Sequence, residues 1–420
     1  MRALVSLLFC LAVACTPQPA TDLGPIAEGY VRLALEIDTH EEGYVDSYYG
    51  DEAWREQARA NPRSVDELKT AADDLLAQVR AGRAPEREEA RARYLEALLS
   101  SARSRLDMIG GERLPFLDEA ERIFGLRPTL QPLQTYDAAL ARVEALATGT
   151  GTLPERLEAF RTRYLVPMDR LPALMEAAIA ECRRRTAPHI PLPENEGFRF
   201  ELVSDANWGA YNWYEGDAQS LIQLNTRSGV AITSIVGYGC HEGYPGHHVQ
   251  GIYGEKMYLE RGWVEWSLNP LYSPAGPLNE GGGNYGVDLA FPGDERVTFE
   301  RDVLYPLAGL DPALSADAEA MSRARDELRG ARLTIAQMYL DGEIGRARAL
   351  ELLQRYELSS PARAQQSLEF IEHYRSYVIN YFTGEQLIRA YIERTAATPE
   401  ERWAAYLRII SEPTRPADLQ

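Results

Sequence analysis

Apolar residues recur every three or four positions through most of this chain, and that spacing commits it to packed amphipathic helices. Ser64-Val65-Asp66-Glu67 has the pattern of a capping box, in which hydroxyl and carboxylate satisfy free amides of a first turn. Leu68, Ala71, Ala72, Leu75, Leu76 and Val79 follow at helical spacing. Pro85 suits the first turn of a second helix, whose apolar face runs from Tyr94 to Leu106 and which Gly110-Gly111 ends. Leu171, Leu174, Met175, Ala178, Ile179 and Cys182 form a third, closed by Arg183 to Arg185 at the favourable end of the helix dipole. Ser360-Pro361 and Thr398-Pro399-Glu400-Glu401 are further start signals.

One section departs from this period. In residues 197–204 (GFRFELVS), Phe198, Phe200 and Leu202 alternate with polar residues, as in a half-buried strand. Residues 211–226 read as more strand around a turn at Glu215-Gly216-Asp217. The predicted fold is therefore mainly α, with a small sheet just ahead of a histidine-rich segment. Three prolines in 188–193 suggest a seam between an N-terminal helical half (25–190) and a second half (191–420) that carries the small sheet, the histidine-rich segment and the C-terminal helices.

The first residues read as an address. Arg2 and the mostly apolar stretch Ala3 to Val13 are too short for a membrane span of ~20 residues but suit a signal peptide over 1–14. Leu11-Ala12-Val13-Ala14-Cys15 resembles a bacterial lipobox, with Cys15 as the lipidated residue and residues 15–24 as lipidated cysteine and tether. By analogy with Gram-negative sorting, Thr16 after the cysteine points to the outer membrane, facing the periplasm. With Cys15 lipidated, Cys182 and Cys240 can form at most one disulfide. A formal charge of −19 argues against binding duplex nucleic acid, because phosphate contacts need a basic surface.

The chemistry concentrates in Cys240-His241-Glu242-Gly243-Tyr244-Pro245-Gly246-His247-His248, which holds three of the six histidines. Imidazoles are common zinc ligands, and an adjacent carboxylate can take a proton from water. Two histidines one helical turn apart would share a face, but Pro245 occupies the position one turn after His241. His248 lies seven residues on, ~10.5 Å along an unbroken helix, too far for one zinc. Pro245 and Gly246 can break the helix and shorten that path. Comparison with His-Glu-x-Gly-His favours a two-residue insertion with His247 as second ligand and His248 as the alternative. His40 and His189 are isolated and read as ordinary polar residues.

His241-Glu242-x-x-Pro245-Gly246-His247-His248 resembles the signature of the bacterial domain-of-unknown-function family 885, grouped with gluzincin-type metallopeptidases. Tyr211-Asn212-Trp213-Tyr214 and Leu224-Asn225-Thr226 are similar to its lead-in, and Pro277-Leu278-Asn279-Glu280-Gly281 to its Glu-Gly segment. The resemblance implies a helical metallopeptidase-like fold and one Zn2+ held by His241, His247 and Glu280, with Glu242 as general base. Gly281-Gly282-Gly283 departs from the pattern: either close helix packing needs these glycines or Glu280 sits on a loop, with Asp288 and Glu265 as substitutes. An Arg-x-Tyr element of the family is similar to Arg375 and Tyr377, which would donate to an oxyanion. Phe370, Tyr374, Tyr377, Val378 and Tyr381 are also one helical stripe, and such stripes are usually core. Tyr381 and Asn225 are candidate substrate contacts, and Leu221 to Thr226 a candidate strand edge for an extended peptide.

The expectation is a lipid-anchored envelope hydrolase acting on short peptides. The alternatives are a non-catalytic binding lipoprotein with the same fold, and a zinc amidase acting on a non-peptide bond.

Overall fold

The computed structural model describes residues 21–206 and 208–420, so the expected signal peptide over 1–14 and Cys15 lie outside the described residues. The protein is mainly α, 65% helical with only small sheets. Among the described residues no helix is long and apolar enough to cross a membrane.

Local chemistry sets the helix starts. Ser64 and Glu67 close the capping box of the Val65–Ala81 helix, and Thr398 and Glu401 do the same for Pro399–Ser411. Ser360 caps Pro361–Tyr374, with Pro361 in the first turn. Pro85 leads into a short 3-10 turn (Glu86–Glu88), and the helix proper runs Glu89–Ile109 before Gly110. In the Leu171–Thr186 helix, Arg183 to Arg185 fill the last turn and the six apolar residues read from the sequence are buried.

Two sheets interrupt the helices. Strand β1 (Val45–Tyr48) pairs antiparallel with a later strand, Leu268–Pro270. Between them in sequence, β2 (Gly197–Val203), β3 (Ala210–Gly216) and β4 (Gln219–Asn225) form a three-stranded sheet, which makes Leu268–Pro270 β5. The hairpin between β3 and β4 turns through Asp217 and Ala218, both at positive φ. β4 is the central strand, parallel to β2 and antiparallel to β3. The expectation that Leu221 to Thr226 offers a free edge is thereby corrected: both sides of β4 are already hydrogen-bonded, and the outer strands are β2 and β3.

Two apolar clusters hold the molecule together. The first joins the N-terminal helices (Tyr30, Leu95, Phe124) to Ala331, Leu353 and Ile371. The second joins the Leu171–Thr186 helix and β4 to Val249, Tyr285 and Tyr406. The segment 188–193 therefore connects two parts of the second cluster, since Leu171 to Cys182 on one side of it and Ile222 and Leu224 on the other pack together. A disulfide, Cys182–Cys240, ties the Leu171–Thr186 helix to the residue before His241. The Gly276–Ala290 helix packs closely along Ile379–Thr395. A Cβ on Gly281 would stand 2.2 Å from the Gly384 carbonyl carbon, and one on Gly283 would stand 2.8 Å from the His241 ring. Close packing accounts for the three glycines, and Glu280 is on a helix.

Candidate metal centre

The backbone around His241 solves the spacing problem. His241 and Glu242 lie on a π-helical turn, Gly239–Gly243, and a new helix starts at His247 (His247–Arg261). Between them the chain folds back, and the Gly246 amide donates to the Cys240 carbonyl at 3.0 Å. The rings of His241 and His247 end 4.6 Å apart, nearly perpendicular. Gly246 permits this approach, because a Cβ there would lie 1.8 Å from the His241 carbonyl oxygen. Backbone atoms cannot yield as a flexible side chain can, so Gly246→Ala is expected to destabilise the protein by about 3 kcal/mol. A lowered midpoint in thermal or denaturant unfolding checks this, and an unchanged midpoint would mean that the segment relaxes without cost.

Three donors converge. Glu280 Oε2 lies 3.5 Å from His241 Nε2 and 3.8 Å from His247 Nε2. Four ligands each ~2.1 Å from one zinc sit ~3.4 Å apart, so these separations fit three corners of a tetrahedron. Ligand atoms of Glu242, His241 and His247 also lie within 4.8 Å of one another. Glu280 therefore fits as the carboxylate third ligand, with the Glu242 carboxylate close by on the same side of the two histidines.

The surroundings fix which nitrogens face inward. Asn284 donates its amide to the Tyr381 carbonyl (3.0 Å), so its oxygen faces His241 Nδ1 at 3.1 Å. Gln250 donates to the Asn279 carbonyl (3.0 Å), and its oxygen faces His247 Nδ1 at 2.9 Å. An amide oxygen only accepts, so both Nδ1 atoms carry hydrogen and both Nε2 atoms are free to ligate. Tyr377 donates to Glu280 Oε1 at 2.8 Å, which leaves Oε2 for the histidines. Tyr377 is thus a positioning residue, acting through Glu280.

Charge follows the same geometry. Burial raises the Glu280 pKa, but the His241 and His247 imidazoles beside it outweigh burial and hold the carboxyl well below its usual range. Burial disfavours the His247 cation, yet Glu280, helped by Glu242 and Gln250, lifts it to about 9. Burial pushes the Glu242 carboxyl up, with the Glu280 charge adding to the effect and the two histidines opposing it. Glu242 is 6% exposed, lines the cavity, and makes no side-chain hydrogen bond among the described residues.

Other expected residues lie elsewhere. His248 is fully buried and turned away, with Nδ1 2.8 Å from Ser220 Oγ and Nε2 3.2 Å from Glu196. It belongs to a network with Arg183 and Tyr244 on the same Glu196, so it is not a ligand of this centre. Arg375 pairs with buried Glu119 at 2.7 Å and donates to the Leu114 carbonyl, which corrects its reading as an oxyanion donor. Asn225 spends its amide on the carbonyls of Ala206 and Trp208 and its oxygen on the Arg227 amide, holding a loop instead of facing substrate. Tyr381 does line the cavity. Of the substitutes, Glu265 is tied to Arg91 at 2.7 and 2.9 Å and Asp288 to Arg389. His40 bonds the Arg63 carbonyl and His189 stacks on Trp403.

No family model matches the sequence, and no curated protein does. Among solved structures the chain is similar to "the putative lipoprotein from Colwellia psychrerythraea", with a TM-score of 0.51 and 15% identity over 94% of this chain and 76% of that one. A "putative lipoprotein of unknown function from Shewanella oneidensis" gives a TM-score of 0.43 and 14% identity over 86% and 75%. At such identities the first likeness concerns the fold alone.

Asn284 and Gln250, which orient the two histidines, escaped the sequence reading. Each stands one turn along a helix from a candidate ligand, Glu280 or His247, and that spacing was the available signal. The centre opens into a cavity of about 460 Å³ walled by residues of both apolar clusters, within the range of small-ligand clefts.

Proposed function

We propose that this chain is a zinc-dependent hydrolase of short peptides, held at the bacterial envelope by lipid on Cys15. The observation that carries the reading is the triangle of His241, His247 and Glu280, with the Glu242 carboxylate close by. Two imidazoles and a carboxylate suit zinc, and their hydrogen-bonded tautomers are the ligating ones. Zinc in such a site supplies Lewis acidity toward a carbonyl oxygen and toward water. Glu242 then takes one proton from the attacking water and passes it to the departing amine as the C–N bond breaks. Asn284, Gln250 and Tyr377 keep the three ligands aimed while this happens. The cavity's size favours short peptides over folded chains.

A second reading is a binding lipoprotein that keeps the fold and does no chemistry; the description of the Colwellia protein supports the envelope anchor equally in both. An amidase acting on a non-peptide bond would use the same residues. Digestion of a short-peptide library by zinc-loaded protein separates them. New termini should appear in the mass spectrum, vanish with a chelator and return with added zinc. Intact peptides at full zinc occupancy would favour the binding protein.

A further inference from the structure

Asp46 owes its position to a fault in the β1–β5 ladder. Val45 faces Pro270 and Ser47 faces Asn269, so Asp46 is the extra residue of a bulge, a device that re-aims a side chain. Its carboxylate reaches the wall of the cavity that holds the metal centre. One oxygen accepts the Tyr211 hydroxyl and the other the Asn269 amide at 3.3 Å. These donors are neutral, a carboxylate can accept about four hydrogen bonds, and Asp46 makes no ion pair among the described residues.

A chain of amides ties it to the centre. Asn269 accepts from Asn279 at 3.3 Å, the Asn279 carbonyl accepts from Gln250, and Gln250 faces His247. Among the described residues, neither lysine nor arginine lines this cavity, whereas Asp46, Glu242, Glu280 and, near the C-terminus of the chain, Glu412 do. Glu265, also on the wall, is already neutralised by Arg91. A carboxylate end of a substrate would meet only repulsion beside Asp46, while a cation there would be complemented.

We propose that Asp46 receives the free α-ammonium group of a peptide, so that the site acts at the substrate's N-terminus. This rests on the hydrolase reading for its chemistry and on the bulge and the cavity charge for its specificity. Tyr211, whose ring lies 4.5 Å from that of Trp213 at a tilt of 41°, would flank the first side chain.

The test compares phenylalanyl-alaninamide with its N-acetyl form on the full zinc-loaded chain, by calorimetry and by turnover. The free amine should bind at least about tenfold tighter, the scale of a charge-assisted hydrogen bond. Asp46→Asn should remove the difference between the two probes. The wild-type comparison stands even where the variant fails to fold. Equal binding and turnover of both probes would overturn the anchor and leave the hydrolase intact. Amine-dependent binding without turnover would support the anchor and remove the hydrolase.

Discussion

Glu242→Gln should retain zinc at the wild-type level and lower peptide turnover by about two to four orders of magnitude, the usual worth of a positioned general base. The substitution preserves size, and the Glu242 backbone carbonyl can still accept the Asn212 amide at 2.7 Å. What it removes is a carboxylate that is nearly buried and pushed upward in pKa by that burial. Such a group accepts a proton more readily than an exposed glutamate. Turnover and bound zinc must be measured on the same preparation. Loss of zinc together with turnover would make Glu242 a ligand, and full turnover would remove its proton-transfer role.

Removing the Cys182–Cys240 disulfide should cost about 4 kcal/mol, the chain-entropy value for a 58-residue separation. Its effect should reach the centre, because Cys240 precedes His241 and its carbonyl receives the Gly246 amide that closes the turn. Without the bridge, the π-helical turn loses its covalent link to the Leu171–Thr186 helix. In a Cys182→Ser, Cys240→Ser variant the denaturant midpoint should fall and the slope rise, because the uncrosslinked denatured chain exposes more surface, and zinc affinity should fall with the midpoint. An unchanged midpoint would mean that packing of Cys182 and Cys240, both buried, suffices without the bond.

The sequence was most legible where cause and effect are close together. Ser64, Thr398 and Ser360 act within one turn of themselves, so their helices could be read directly. The alternation of Phe198, Phe200 and Leu202 is likewise a local signature of a strand. His241 and His247 could be chosen because Pro245 and Gly246 stand between them. Arg375 and Asn225 were misread because their partners are set by the fold: Glu119 is 256 residues from Arg375, and Asn225 closes a loop built from β2 and β3. Asp46 left no trace in the sequence, since a bulge arises from strand pairing across more than two hundred residues. The glycine run after Glu280 was visible but ambiguous until Gly384 and the His241 ring were seen to press against it.

The most direct test of the central claim is the zinc content of protein purified without chelator, measured for the wild type and for His247→Ala. The geometry predicts about one zinc per chain in the first and a loss of it in the second, because His247 Nε2 is one of three converging donors. Zinc absent from the wild type, or retained equally by the variant, would contradict a metal centre at His241, His247 and Glu280.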